Sequence, residues 1–130
     1  MPLPRKIYFD HEKLEVYQSA IAFIAWVSPL LENLTKVGDV RDHLDRASTS
    51  VALNIAEGNG KYSTKDRGRF FDTAHGSALE CAAGLDTLIA KGKLTFDQID
   101  PGKERLSMIV KMLMGLLKKV PNRNYERTEE

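Results

Sequence analysis

The stretch Leu44-Asp45-Arg46-Ala47-Ser48-Thr49-Ser50-Val51-Ala52-Leu53-Asn54-Ile55-Ala56-Glu57-Gly58-Asn59-Gly60 decides the fold. With Val40 ahead of it, the residues Leu44, Ala47, Ser48, Val51, Ile55 and Gly58 recur at steps of three and four, which puts them on one face of an α-helix. Gly58-Asn59-Gly60 ends that helix, because two glycines allow the positive φ values of a tight reversal. Beyond the turn, Ser63-Thr64-Lys65-Asp66 reads as a capping box with Asp in place of the usual Glu. Phe70, Ala74, Ser77, Cys81, Leu85 and Leu88 then carry a further helix to Gly92. The pair is a helical hairpin.

Upstream, Asp10 is a suitable N-cap for a first helix, with Phe9 and Leu14 placed for a hydrophobic staple. Leu14, Tyr17, Ile21, Ile24, Ser28 and Leu31 give it a core face. Pro29 removes the hydrogen bond to the Ala25 carbonyl, so a kink or break is expected there. Gly38 ends this segment and Asp39 caps the second helix. Downstream, a fourth helix starts either at Thr95 or at Asp100-Pro101. It carries Leu106, Ile109, Val110, Leu113, Leu116, Leu117 and Val120 on its core face, and Pro121 closes it. No window alternates with period two, so no strand is assigned. Short connections favour antiparallel neighbours. The expectation is an all-α domain, an antiparallel up-down-up-down four-helix bundle over residues 1–121, followed by a polar, disordered tail over 122–130.

The chain has 130 residues, 42% hydrophobic and 28% charged, which suffices for a core without disulfides or metals. Nineteen Lys and Arg against 18 Asp and Glu leave a net charge of +1, so any steering of nucleic acid must come from a local patch. The lone Cys81 forms no internal disulfide and fits a reducing, cytoplasmic setting. Nothing after Met1-Pro2-Leu3-Pro4-Arg5-Lys6 reads as the apolar core of a signal peptide. The apolar run Ala20 to Val27 is too short to cross a membrane.

Three spaced motifs go beyond a helical pattern. They are Leu44-x-Arg46-Ala47-Ser48-x-Ser50-Val51-x-x-Asn54-Ile55-Ala56-Glu57-Gly58-x-Gly60, Ser63-x-x-Asp66-x-x-Arg69-Phe70 and Ala74-x-Gly76-Ser77-x-x-Glu80. Together they resemble the small four-helix bundle proteins encoded by intervening sequences inside bacterial 23S ribosomal RNA genes. They are also similar to the relatives of those proteins, the accessory variability determinants of diversity-generating retroelements. The resemblance implies an up-down bundle assembled as a homopentamer and, from the retroelement branch, association with nucleic acid. The chain departs from the pattern at Asp45 and His75, where family members commonly carry arginine, and both departures remove positive charge.

Folding the hairpin about Gly60, with equal rise per residue on both sides, places Glu57 near Thr64 and Lys65, Asn54 near Arg67, and Arg46 near His75. Arg46, Ser50, Asn54 and Glu57 line one stripe of the second helix, with Ser77 and Glu80 farther along the third. Burying such groups is costly unless all are hydrogen-bonded, so they read as a satisfied structural network that fixes helix register. Glu57 is also placed to hold backbone amides of the turn or the start of the third helix. Glu57 and Glu80 are too far apart for shared acid–base chemistry. Asp72-x-x-His75 is half of a di-iron bundle motif at most, and His43 with His75 would supply only two of the three or four ligands a metal needs. Gly58-Asn59-Gly60-Lys61 lacks the spacing of a phosphate-binding loop. The expectation is no enzyme, no cofactor and no metal.

Two features remain. The first helix is apolar nearly all round between Ala20 and Val27, and the fourth carries Met108 and Met112 off its main face. A helix apolar on more than one side is buried on more than one side, which means either a broad core or a subunit interface anchored by Phe23, Trp26, Met108 and Met112. The second feature is charge at one end of the bundle. There the start of the first and third helices meets the end of the second and fourth, gathering Arg5, Lys6, Lys13, Lys61, Lys65, Arg67, Arg69, Lys118, Lys119, Arg123 and Arg127 against fewer acids. Lys61, Lys65, Arg67, Arg69, Lys118 and Lys119 would contact phosphate, with Tyr62 and Tyr125 for stacking; a solvated, mixed-charge end is the plain alternative. The functional expectation is a non-enzymatic homo-oligomer that meets RNA, DNA or a nucleic-acid-processing protein through this end. The alternative is a structural or scaffolding protein that binds another protein.

Overall fold

A computed structural model describes residues 6–121 of the chain. A 3-10 turn over Asp10–Lys13 precedes four α-helices: α1 (Glu15–Glu32), α2 (Val40–Asn59), α3 (Thr64–Ala90) and α4 (Phe96–Leu117). Contacts run α1 to α2, α2 to α3, α3 to α4 and α4 back to α1, so the helices close a four-membered ring around one core. Cross-helix pairs give the directions. Gly58 meets Phe71 and Gly84 meets Leu44 between α2 and α3, while Gly68 meets Val120 and Asp86 meets Lys103 between α3 and α4. Asp10 at the start of the chain reaches Asn59 at the end of α2. Neighbours are therefore antiparallel. Arg5, Arg123, Tyr125, Arg127 and the expected tail lie outside the described residues.

The core is contributed evenly by the helices. Phe23 and Val27 of α1, Leu44, Val51 and Ile55 of α2, Cys81, Leu85 and Leu88 of α3, and Leu106, Ile109, Leu113 and Leu117 of α4 are all buried. Each aliphatic or aromatic side chain among them contributes about 1.5–3 kcal/mol by leaving water. The small residues Ala47, Ala52, Ala74 and Ala78 are buried beside them and let α2 and α3 approach closely. At Gly58 and Gly84 the approach leaves no room for a side chain, since a Cβ would stand 2.9 Å from Phe71 Cε1 at the first and 2.8 Å from Leu44 Cγ at the second.

Several local expectations are corrected. The first helix opens at Glu15 rather than Asp10, because the 3-10 turn is separated from α1 by the extended residue Leu14. Asp10 instead accepts a hydrogen bond from Asn59 Nδ2 at 3.0 Å, and Phe9 is exposed and stacks on His11 rather than stapling Leu14. Pro29 does not break α1, which runs on to Glu32. One turn beyond the proline Asn33 Nδ2 donates to the Pro29 carbonyl and finishes the helix. Asp39 precedes α2 without a side-chain cap bond.

The deep face of α1 is Val16, Ala20, Phe23, Val27 and Leu31; Leu14, Tyr17, Ile21 and Ile24 pack half-buried around it. The turn after α2 needs no left-handed glycine, since Gly60 has φ −84° and Gly58 lies inside the helix. Its amides are held by carbonyls of α2: Gly60 N donates to Glu57 O and Lys61 N to Gly58 O.

The other boundaries follow the cap chemistry. Ser63 Oγ accepts from Asp66 N at 3.0 Å and opens α3. Gly92, at φ +74°, closes α3 with Gly92 N donating to Ile89 O and Lys93 N to Leu88 O, a Schellman ending. Of the two candidate starts for α4, Thr95 is the observed one. A full capping box with Gln98 holds it, and Pro101 falls inside the helix.

Candidate nucleic-acid interface

The end of the bundle where α2 hands over to α3 gathers four chain segments. The turn through Lys61 and Tyr62 joins α2 to α3 there, the first two turns of α3 supply Lys65, Arg67 and Arg69, and the 3-10 turn is tied to the same end through the Asp10–Asn59 bond. The end of α4 arrives there because Val120 packs on Gly68, where a Cβ would stand 2.9 Å from Val120 Cγ1. Lys118 and Lys119 therefore belong to the same end.

The six expected phosphate contacts are not equally available. Arg69 Nη2 donates to Asp66 Oδ1 at 2.8 Å, and Lys61 Nζ lies 3.9 Å from Glu57 Oε2 and 5.0 Å from the Phe70 ring centroid. Arg67 is half-buried and acts on the Asp10 carboxylate. That carboxyl is held below the usual range chiefly by the bond from Asn59, with Lys13 and Arg67 adding to it. Lys65, Lys118 and Lys119 are exposed and have no ion-pair partner among the described residues. These three are the ready cations of the end; exposed pairs such as Arg69–Asp66 are worth about 0–1 kcal/mol and open easily to a phosphate.

Exposed aromatic rings lie toward the same end. Tyr62 is fully exposed, and Tyr8 and Phe9 are about two-thirds exposed. Lys6 Nζ lies 5.6 Å from the Tyr8 ring centroid. Sequence reasoning found Tyr62 but assigned Phe9 to packing and passed over Tyr8. The available signal was a tandem aromatic pair just ahead of a helix start.

The polar stripe of α2 differs most from expectation. Observed cross-helix partners lie several residues farther along α3 than a fold about Gly60 implies, because residues 60–63 form the connection and α3 opens only at Thr64. Ser50 and Ser77 face each other at 2.8 Å between their Oγ atoms, and Asn54 Nδ2 donates to the Ser50 Oγ and carbonyl. That half-buried trio is joined by hydrogen bonds across α2 and α3. Arg46 is exposed on the surface of α2. Glu57 pairs with Lys61 and caps no amide among the described residues, and Glu80 reaches His43 Nδ1 at 3.3 Å. The stripe is thus a surface, with Leu53 exposed in its middle and a shallow groove running from Asp45 to Glu57.

The expected interface anchors separate as well. Phe23 is 1% exposed within a single chain, so its ring belongs to the bundle's own core and is corrected from interface to core. Trp26 is half-buried and packs against Gly102 of α4. Met112 is half-buried, and Met108 remains exposed.

His43 engages Glu80, and among the described residues no group of three or more His, Cys, Asp or Glu could hold a metal ion. No helix among them is long and apolar enough to cross a membrane. What fold and site define is a small antiparallel four-helix bundle with a cationic, aromatic-studded end.

The chain belongs to the family of 23S rRNA-intervening sequence proteins, whose description matches residues 12–115. Its structure is similar to the crystal structure of a protein of unknown function from the S23 ribosomal protein family of Bacteroides thetaiotaomicron. That likeness has a TM-score of 0.75 and 23% sequence identity, over 80% of this chain and 99% of the other. At that identity it shows the shared fold. No curated protein matches the chain.

Proposed function

We propose that this protein is a non-enzymatic, cytoplasmic homo-oligomer that associates with RNA or DNA through the cationic end of its bundle. The observation that carries the reading is the convergence of Lys65 with Lys118 and Lys119, exposed and unpaired among the described residues, on one end of the fold. Family membership supports a setting near ribosomal RNA genes. The pentamer and the link to retroelement accessory proteins rest on resemblance. Repeating a modest patch around a ring would multiply its field, and phosphate contacts of this kind position nucleic acid without reading sequence.

Fluorescence anisotropy of labelled RNA and single-stranded DNA tests this at about 50 and 200 mM salt, where phosphate-driven binding must weaken steeply. Reversing Lys65, Lys118 and Lys119 to Glu should weaken binding by at least about tenfold while leaving the oligomer's mass unchanged. Affinity indifferent to both salt and charge reversal would defeat the reading.

A second reading, a scaffold that binds another protein, is favoured by one observation. Leu53 and Leu79 are large apolar side chains left more than half exposed on α2 and α3. Nuclease-resistant recovery of a defined protein partner, lost on Leu53→Asp, would favour it over nucleic acid.

A further inference from the structure

We infer that the cationic end is built for unpaired nucleic acid and discriminates against duplex by stacking bases on Tyr62, Tyr8 and Phe9. This rests on the nucleic-acid reading above and sharpens it to a substrate class.

Cations alone do not distinguish single strands from duplex, because both present phosphates. Flat aromatic faces do, because only an unpaired base offers a free π-face without first leaving a stack. Single exposed apolar residues are ordinary on a protein surface. The arrangement here is different in kind. Tyr62 projects fully into solvent from the α2–α3 connection, flanked in sequence by Lys61 and followed by the exposed Lys65 of the first turn of α3. It has no ring or hydrogen-bond partner among the described residues.

Tyr8 and Phe9 reach the same end by a separate route. The Asp10–Asn59 hydrogen bond at 3.0 Å fixes the segment next to Phe9 against the last residue of α2, three positions before Tyr62. The Tyr8 amide donates to Glu12 Oε1 at 2.9 Å, and the Phe9 ring lies within 5° of parallel to His11, so neither ring hangs from a loose strand. Two rings on a hydrogen-bonded segment and one projecting ring are thus brought to the same end of the bundle as Lys61 and Lys65. Preordered rings lose little freedom when a base arrives. Each ring that takes a base should contribute roughly five- to 150-fold in affinity.

The test compares one short labelled strand with the same strand annealed to its complement, as RNA and as DNA, using the full chain. The single strand should bind at least about tenfold more tightly than the duplex. Tyr62→Ala should weaken single-strand binding by about fivefold or more, leave duplex binding and the salt slope unchanged, and be largely rescued by Tyr62→Phe. Tyr8→Ala should act in the same direction. Tyr62 is fully exposed, so its removal leaves packing intact, and unchanged circular dichroism confirms that. Equal, salt-sensitive affinity for both forms, or tight single-strand binding indifferent to Tyr62→Ala and Tyr8→Ala, overturns stacking while leaving the electrostatic reading standing. Failure of every probe to bind overturns both.

Discussion

The indole of Trp26 lies directly on the α4 backbone at Gly102: a Cβ added to Gly102 would stand 2.3 Å from Trp26 Cζ3 and 2.5 Å from Cη2. That contact seats α1 against α4 and occupies the tryptophan within its own chain. In an open helical position, Gly→Ala would gain about 1 kcal/mol from backbone propensity. Here the overlap is with a ring that also packs on Phe23, 5.7 Å between centroids, and overpacking of that kind costs about 1–3 kcal/mol. Gly102→Ala should therefore lower stability, whereas Gly115→Ala on the same helix, where nothing lies within 4 Å of the added Cβ, should raise it by about 0.5–1 kcal/mol. Paired urea melts decide the matter. Equal shifts in the two variants would mean that the indole gives way.

The residues that announced the fold and those that misled come from the same stretches. Leu44, Val51 and Ile55 show a clean helical stripe because α2 is polar on its other faces, and all three are buried. In α1 the residues from Ala20 to Val27 are apolar on every side, so period alone could not tell Phe23 and Val27, which are deep, from Ile21 and Ile24, which are half-buried. Register across the hairpin failed for a different reason. It depends on how many residues the connection uses and on where the helices touch, and the close approaches at Gly58 and Gly84 exist only in three dimensions. Of the six polar residues expected to form one network, Ser50, Asn54 and Ser77 are joined by hydrogen bonds, whereas Glu80 crosses to His43 instead, Glu57 pairs with Lys61 and Arg46 is exposed. The cationic end was legible because topology alone brings Lys65, Lys118 and Lys119 together. Which of its charges are already paired was not, since Glu57–Lys61 and Asp66–Arg69 follow from side-chain geometry.

Arg41 carries an uncompensated burden. Its Nε and Nη2 are buried without a hydrogen-bond partner among the described residues, although Glu32, Asp42 and Asp45 line the same cleft between the end of α1 and the start of α2. A buried donor left without an acceptor costs about 1–3 kcal/mol. Arg41→Met keeps the apolar stem and removes the donors, so it should raise the melting temperature and add about 1 kcal/mol to stability. Arg41→Ala, which also discards the stem, should give less or nothing. A clear loss of stability in the methionine variant would show that the guanidinium is satisfied in solution by a cleft carboxylate or a bridging water.

Ser77 ties α3 to α2 through one hydroxyl contact, 2.8 Å from Ser50 Oγ. In Ser77→Ala the Ser50 oxygen still accepts from Asn54 Nδ2 at 3.0 Å, and half-buried Ser50 can turn its hydroxyl proton toward water. The loss should be that of one ordinary hydrogen bond, about 0.5–1.5 kcal/mol in a thermal or urea melt. Ser50→Ala removes the member shared by both bonds and should cost more, because Asn54 then keeps only the Ser50 carbonyl at 2.8 Å. The order of the two variants is the test, and a larger loss at Ser77 would refute the arrangement.

Cys81 sits in the core with no exposed surface, and burial pushes its thiol up to about 12 from an ordinary 9.0, with the Glu80 carboxylate adding to the rise. The thiolate is the reactive form, so alkylation of the folded protein by iodoacetamide at pH 8 should be slower than that of the urea-unfolded chain by orders of magnitude. The raised value also has a consequence for stability. Because the folded state holds the proton more tightly, the contribution is complete below pH 9.0 and is lost as pH climbs toward about 12. Relative to Cys81→Ala, the native chain should therefore become progressively less stable above pH 9.0. The comparison with the alanine variant cancels the tyrosines and lysines that titrate in the same range. Rapid native-state alkylation at pH 8, or a stability difference that stays flat with pH, would place the thiol near solvent and contradict its seat between α3 and the core.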